Sequence, residues 1–141
     1  MSAFLAENQT LVRRYREELW NGKLEAADEI SDPAIRLHII DPITPDFGAG
    51  PQALKQLVTL YNAAFPDAHH VIEDLVVEET KATVRWQAQG THQGALGEIA
   101  PTGKHVKVTG IDIYHLGDGK ITDVWTSWDA LGMMQQFGLS S

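Results

Sequence analysis

The chain has 141 residues, of which 43% are hydrophobic and 21% charged, as is typical of one soluble globular domain covering residues 1–141. Its formal net charge of -8, without a lysine or arginine cluster, excludes the positive surface that nucleic acids and anionic membranes require. The absence of cysteine excludes disulfides and thiolate chemistry. Because no apolar run approaches membrane-spanning length and no cleavable leader is visible, we expect a cytoplasmic protein.

The first half of the chain predicts three helices and one short strand. Apolar residues recur at helical spacing from Leu5 to Leu19, and the arginines among them, including Arg16, are assigned to the exposed side. In chain order the expected elements are a helix ending near Asn21-Gly22, a short helix from Leu24 to Ile30, a strand from Ile35 to Ile40 and a helix opened by Pro51 and ended by Phe65-Pro66-Asp67.

The second half predicts a four-stranded antiparallel meander and a final helix. The expected bounds are His69–Val77, Ala82–Gln93, Val106–Leu116 and Ile121–Trp128 for the strands, and Asp129–Gln136 for the helix. The last two strands flank Gly-Asp-Gly-Lys, which is typical of a hairpin turn. Helices followed by a meander indicate an α+β fold with helices against one face of a curved sheet.

The hairpin places Asp112 in mid-strand, opposite Trp125 or Thr126, because facing residues should have numbers that sum to about 237 or 238. A carboxylate at such a position is costly unless it is exposed, paired or used. If the phase of Val106 and Val108 continues, Asp112 points inward. The alternatives are that the side chain faces outward or that a bulge at Gly110 reverses the phase.

Several short motifs recur along the chain in a familiar order. They are Leu19-Trp20-Asn21-Gly22, Phe65-Pro66-Asp67, Gly90-Thr91-His92-Gln93-Gly94, Pro101-Thr102-Gly103-Lys104, Asp118-Gly119-Lys120-Ile121, Trp125 to Asp129 and Gln135-Gln136-Phe137-Gly138. With these motifs the chain resembles the SnoaL-like polyketide (ester) cyclase family of the nuclear transport factor 2-like superfamily.

The resemblance implies a cone-shaped fold, with a curved antiparallel sheet wrapped on N-terminal helices and a short C-terminal helix. It also implies a closed small-molecule pocket and no cofactor. In the characterised cyclases an aspartate on the last strand and a histidine on the preceding strand serve an intramolecular aldol ring closure. Alignment on Asp118-Gly119-Lys120 puts Thr126 at the aspartate position and Asp112 at the histidine position, while His92 matches the histidine of the Gly-Thr-His motif.

We therefore hypothesise a cofactor-independent enzyme of the cyclase, isomerase or lyase kind, acting on an apolar carbonyl-containing metabolite. Asp112 would be its acid/base and His92 its polar partner. A non-catalytic binding protein for an apolar metabolite and an epoxide or ester hydrolase remain open alternatives. His92 would otherwise be structural, bonding a loop carbonyl.

Further residues are candidates for the pocket wall, although core packing explains aromatic residues equally well. The candidate substrate-binding residues are Tyr15, His38, Tyr61, Trp86, Tyr114, Thr126 and Trp128. His69 and His70 superficially suggest a metal site, but adjacent strand residues point to opposite faces, so we expect no metal. An inward Asp112 would leave Ile111, Ile113 and Trp125 on an apolar outer face, which predicts a homodimer formed through the sheet.

Overall fold

The computed structural model describes residues 3–139, which form a curved five-stranded sheet packed against helices. The helices are Ala3–Arg13 (α1), continued by a π-helical turn over Arg14–Leu19, and then Ala26–Ile30 (α2), Pro51–Ala64 (α3) and Ala130–Phe137 (α4). The strands are Ser31–Ile39 (β1), His69–Val77 (β2), Lys81–Thr91 (β3), His105–Gly117 (β4) and Lys120–Trp128 (β5). Among the described helices none is long and apolar enough to cross a membrane.

The sheet has the strand order β1-β5-β4-β3-β2. Strands β2 to β5 form the predicted antiparallel meander, whereas β1 joins the edge of the sheet parallel to β5. A parallel pair needs a long crossover connection, and here α3 and the meander supply it. The α+β class and the cone-shaped architecture are confirmed.

The hairpin of β4 and β5 has the expected register, with Asp112 paired to Thr126. No bulge interrupts the ladder at Gly110, which pairs regularly with Trp86 and Trp128. The inward phase therefore holds, and the Asp112 side chain is fully buried. The turn places Asp118 at a φ of 51°, a left-handed conformation that aspartate tolerates better than most residues.

Gly110 lets the indole of Trp86 lie across the neighbouring strand. A Cβ atom at this position would be 2.2 Å from Trp86 Cζ2, closer than two carbon atoms can approach. The glycine therefore makes room for the ring that covers the centre of the sheet's inner face.

Two clusters of buried apolar residues border the concave side of the sheet. The larger one packs the N-terminal helices and α3 against the sheet, with Leu54 and Val84 among its members. The smaller one, defined by Ala64, Phe65, Leu96, Val106, Met133 and Phe137, brings α4 and the end of α3 together. The space between these clusters is not filled, and this is where the candidate site lies.

Candidate functional site

A predominantly apolar cavity lies between the helices and the inner face of the sheet. Its volume is about 70 Å³, which is room for several waters or a small organic molecule. Its wall includes the aromatic side chains of Trp20, Tyr61, Phe65, Trp86 and Trp128. A few convergent polar groups within apolar walls are typical of a small-molecule site.

A buried ion pair forms the floor of this cavity. Arg16 Nη2 lies 2.7 Å from Asp112 Oδ2, and the two side chains are 1% and 0% exposed. Arg16 lines the cavity, whereas Asp112 stands behind it. An ion pair withdrawn from water in this way is costly to desolvate unless further hydrogen bonds support it.

Four donors satisfy the Asp112 carboxylate. Oδ2 accepts from Arg16 and from the Tyr114 hydroxyl at 2.6 Å, and Oδ1 accepts from Trp86 Nε1 at 3.1 Å and from Thr126 Oγ1 at 2.8 Å. Through these bonds Asp112 orients Arg16, and Thr126 is its hydroxyl contact with the cavity wall.

Aromatic rings surround the guanidinium of Arg16. Its Cζ lies 4.0 Å from the centre of the Trp86 ring, 5.0 Å from that of Trp20 and 5.4 Å from that of Tyr15, and such cation–π contacts stabilise a desolvated charge. The π-helical turn over Arg14–Leu19 presents Tyr15, Arg16 and Leu19 to the interior together, and such turns occur frequently at functional sites. Within the described residues, Arg16 Nε has no hydrogen-bond partner.

His70 extends the polar floor beside Arg16. Its Nδ1 lies 3.3 Å from Arg16 Nη1, and because a guanidinium only donates, Nδ1 is the acceptor and the proton resides on Nε2. Burial, and then the charge of Arg16, lower the pKa of His70 from 6.5 to about 2. His70 is therefore neutral, lines the cavity and offers an Nε2–H donor. Asn21 fixes the strand there by bonding both the backbone N–H and the carbonyl of His70.

The structure brings four of the seven predicted substrate-binding residues to the cavity wall. These four are Tyr61, Trp86, Thr126 and Trp128. Tyr15 and Tyr114 are fully buried beyond the wall and pack edge to face, with ring centres 5.2 Å apart. His38 lies on the outer side of the sheet, bonded to Asp123 and stacked on Trp125.

His92 is not brought to Asp112 and does not line the cavity. Its ring stacks 4.3 Å from that of Phe137 and 5.4 Å from that of Phe65. Nδ1 accepts a hydrogen bond from the backbone N–H of Thr102 at 3.1 Å, which ties the loop before β4 to the end of β3. Burial lowers the pKa of His92, so this histidine packs as a neutral ring against Phe65 and Phe137 of the smaller core cluster.

Two residues of the floor escaped the sequence interpretation. The expectation that Arg16 faces solvent is wrong, because its side chain is buried. Its position, four residues after Val12 and three before Leu19, is a signal that could have placed it on the buried stripe. For His70 the sequence suggests only the metal role, which the opposite directions of adjacent strand residues argue against. Its neighbour His69 is exposed, so the two rings do point apart, and the described residues contain no cluster of three or more groups able to hold a metal.

Comparison with known proteins agrees with this architecture. The family model of the SnoaL-like polyketide cyclases matches residues 9–137. The chain belongs to the SnoaL-like polyketide cyclase family. No curated protein matches the chain in sequence.

Solved structures extend the likeness over nearly the whole chain. A Bacillus cereus protein assigned as a polyketide cyclase is 30% identical, with a TM-score of 0.78 over 96% of this chain and 83% of its own. TsrD from Streptomyces laurentii is 25% identical, with a TM-score of 0.81 over 95% and 96%. A Jannaschia sp. CCS1 protein assigned to the SnoaL-like cyclases is 20% identical, with a TM-score of 0.86 over 100% and 98%, and shows the shared fold.

Proposed function

We propose that this SnoaL-like protein is a cofactor-independent enzyme that enolises an apolar, carbonyl-containing small molecule, as a cyclase, isomerase or lyase would. The observation that supports the proposal is the buried Arg16–Asp112 pair, whose arginine lines a predominantly apolar cavity. Family membership supports a small-molecule ligand.

The floor of the cavity suits a substrate oxygen on which negative charge develops. When a proton leaves the carbon next to a carbonyl, the oxygen becomes an enolate. Arg16 and the Nε2–H of neutral His70 are donors already held in place in a water-poor site, where such stabilisation is strongest. In this proposal His70, rather than His92, is the polar partner of the pair.

We assign the proton itself to Asp112 acting through Thr126. The Thr126 hydroxyl lines the cavity and donates to Asp112 Oδ1. A proton taken from the substrate carbon by the Thr126 oxygen would be balanced by transfer of the hydroxyl proton to Asp112. A hydroxyl becomes a competent base only when an adjacent group activates it in this way.

The test is exchange of the methyl protons of para-hydroxyacetophenone for deuterium, followed by NMR in heavy water. We expect the protein to accelerate exchange. The double variant Arg16→Met with Asp112→Asn leaves the floor without a charge, and its exchange rate should be at least about 100-fold lower. His38→Gln, altered on the outer face of the sheet, is the matched control and should retain full activity. Undiminished exchange in the double variant would exclude this role for the floor.

A non-catalytic binding protein is the second candidate, and the saturation of Asp112 by four donors favours it. With a donor on each of its lone-pair sites, this carboxylate has none free to accept a proton directly from a ligand. Binding of the ketone by calorimetry without any acceleration of exchange would select this function over catalysis.

We further propose that two copies pair through the outer face of the sheet. Ile111, Ile113 and Trp125 are 48%, 44% and 37% exposed there, and Ile113 and Trp125 are neighbours across the β4–β5 ladder. A contiguous apolar patch on a sheet face favours association with a self-complementary surface.

A further inference from the structure

A second polar cluster, anchored by Asp41, lies where the exposed loop of residues 40–50 borders the cavity, a side that we term the mouth. Residues 40–50 form a mostly exposed loop, and within it Asp41 Oδ1 accepts from the backbone N–H groups of Ile43 at 2.8 Å and Thr44 at 2.7 Å. Its Oδ2 accepts from Thr44 Oγ1 and from Trp128 Nε1, each at 2.8 Å. Thr44 and Trp128 both line the cavity, so Asp41 fastens the loop to the cavity mouth.

These bonds fix the direction of a hydrogen-bond chain. Burial of Asp41 opposes its ionisation, but the bonds from Thr44, Trp128 and Ile43 together hold its pKa below the ordinary value, so it is an acceptor only. Thr44 therefore donates its single hydroxyl proton to Asp41. Since Thr44 Oγ1 also lies 2.5 Å from the Tyr61 hydroxyl, Tyr61 must be the donor in that second bond.

The Tyr61 hydroxyl can therefore offer a ligand only the lone pairs of its oxygen, which accept a hydrogen bond. Burial raises the pKa of Tyr61, so the phenol keeps its proton, and that proton is committed to Thr44. The Tyr61 side chain lines the cavity and makes no other hydrogen bond within the described residues. A phenol usually both donates and accepts, but here it presents only an acceptor.

The floor presents the opposite polarity. The guanidinium of Arg16 and the Nε2–H of His70 are hydrogen-bond donors, and both residues line the cavity. The two ends are linked to positions two residues apart on one face of β5, because Thr126 contacts Asp112 and Trp128 contacts Asp41. Strand geometry places the Cα atoms of these two residues roughly 7 Å apart.

We propose that Tyr61 is a specificity-determining residue, which selects ligands that carry a hydroxyl donor at the mouth of the cavity and a carbonyl acceptor at its floor. The ligand class is a hydroxylated carbonyl compound with its two oxygens at opposite ends of a flat apolar body. The carbonyl end rests on the proposed function, whereas the hydroxyl end depends only on the Asp41–Thr44–Tyr61 chain.

The experiment compares two probes by calorimetry on the full-length protein, so that no turnover is needed. Para-hydroxyacetophenone can donate to Tyr61, whereas para-methoxyacetophenone places only an acceptor against another acceptor. We expect the hydroxy compound to bind at least about fivefold more tightly, the effect of one buried hydrogen bond. Equal affinities, tighter binding of the methoxy compound or no binding of either would overturn the proposal.

Two variants separate recognition by Tyr61 from a merely structural role. Tyr61→Phe removes the acceptor, and should weaken the binding of the hydroxy compound while leaving that of the methoxy compound unchanged. Thr44→Val makes the Tyr61 proton available to the ligand, and should instead strengthen the binding of the methoxy compound. A parallel loss for both probes in both variants would show only that the mouth had been disturbed, and would overturn the proposal.

The outcome is separable from that of the proposed function. A hydroxyl preference that follows this pattern, without any proton exchange at the methyl carbon, would retain the specificity role and discard catalysis. Exchange without a hydroxyl preference would do the reverse. Melting temperatures within a few degrees of wild type, checked for both variants, keep the comparison valid.

Discussion

The imidazole of His70 is buried beside the guanidinium of Arg16, and both features disfavour a second proton on the ring. Burial is the larger cause and the positive charge the smaller one, and together they lower the pKa from 6.5 to about 2. In the unfolded chain the same ring takes up a proton at its ordinary pKa. The folded and unfolded states therefore bind different numbers of protons over a wide acidic range.

This difference predicts the acid sensitivity of the fold. Below pH 6.5 the unfolded state gains a proton that the folded state refuses, so the free energy of unfolding should fall by on the order of 1 kcal/mol per pH unit from His70 alone. His92, whose pKa burial also lowers, should add to the slope. Urea unfolding at pH 7 and pH 5 measures the effect.

His70→Gln tests the assignment, because glutamine does not titrate and can still accept a hydrogen bond from Arg16. In this variant the slope of the unfolding free energy against pH should fall by the equivalent of about one proton. His69→Gln, on the exposed face of the same strand, should keep the wild-type slope. An unchanged slope in His70→Gln would contradict a buried neutral histidine.

At the residue scale, the sequence identified Asp112 and most of the cavity wall but misplaced Arg16. Helical spacing places Arg16 on the buried stripe, whereas the general preference of arginine for solvent predicts the exposed side. Burial of a charge depends on its partner, which here lies 96 residues away on β4. No local pattern encodes such a partner, whereas the alternation that turned Asp112 inward is local.

At the scale of elements, Gly110 controls how β3 and β4 present the floor. The Trp86 indole occupies the space of the missing side chain, stacks on Arg16 and donates to Asp112. Trp86 and the ion pair therefore depend on a position that carries no functional group of its own.

We predict that Gly110→Ala destabilises the fold by about 1–3 kcal/mol, the usual cost of forcing extra atoms into a packed core. Gly117→Ala in the same strand is the matched control, since its added Cβ would meet only Thr122 Cγ2, at 3.7 Å. Thermal unfolding of the two variants makes the comparison. Equal melting temperatures would mean that Trp86 moves aside without cost.

The same scale shows which pairings the sequence reveals. A glycine-containing turn fixed the register of β4 and β5 to within one residue, because the hairpin closes over four positions. The parallel pairing of β1 with β5 joins Arg36 to Asp123 across 87 positions. Nothing in the short apolar run of β1 distinguishes an edge strand of this sheet from an isolated one.

For the molecule as a whole, the outer face of the sheet predicts self-association. Ile113→Lys would place a charge in the middle of the apolar patch and should shift the protein from dimer to monomer at micromolar concentration. Ile40→Lys is the control, because Ile40 is 96% exposed but lies beyond the end of β1. Light scattering after size exclusion gives both masses, and a wild-type monomer would argue against the pairing.

Three of the four tryptophans in the chain, Trp20, Trp86 and Trp128, border the cavity, and the fourth, Trp125, lies on the opposite side of the sheet. Any occupant of the cavity must alter the surroundings of three indoles at once. The protein is consequently its own optical reporter, and replacing Trp125 with phenylalanine would remove the background emission. Whole compound libraries can then be screened by ultraviolet fluorescence alone, without a dye or a known substrate.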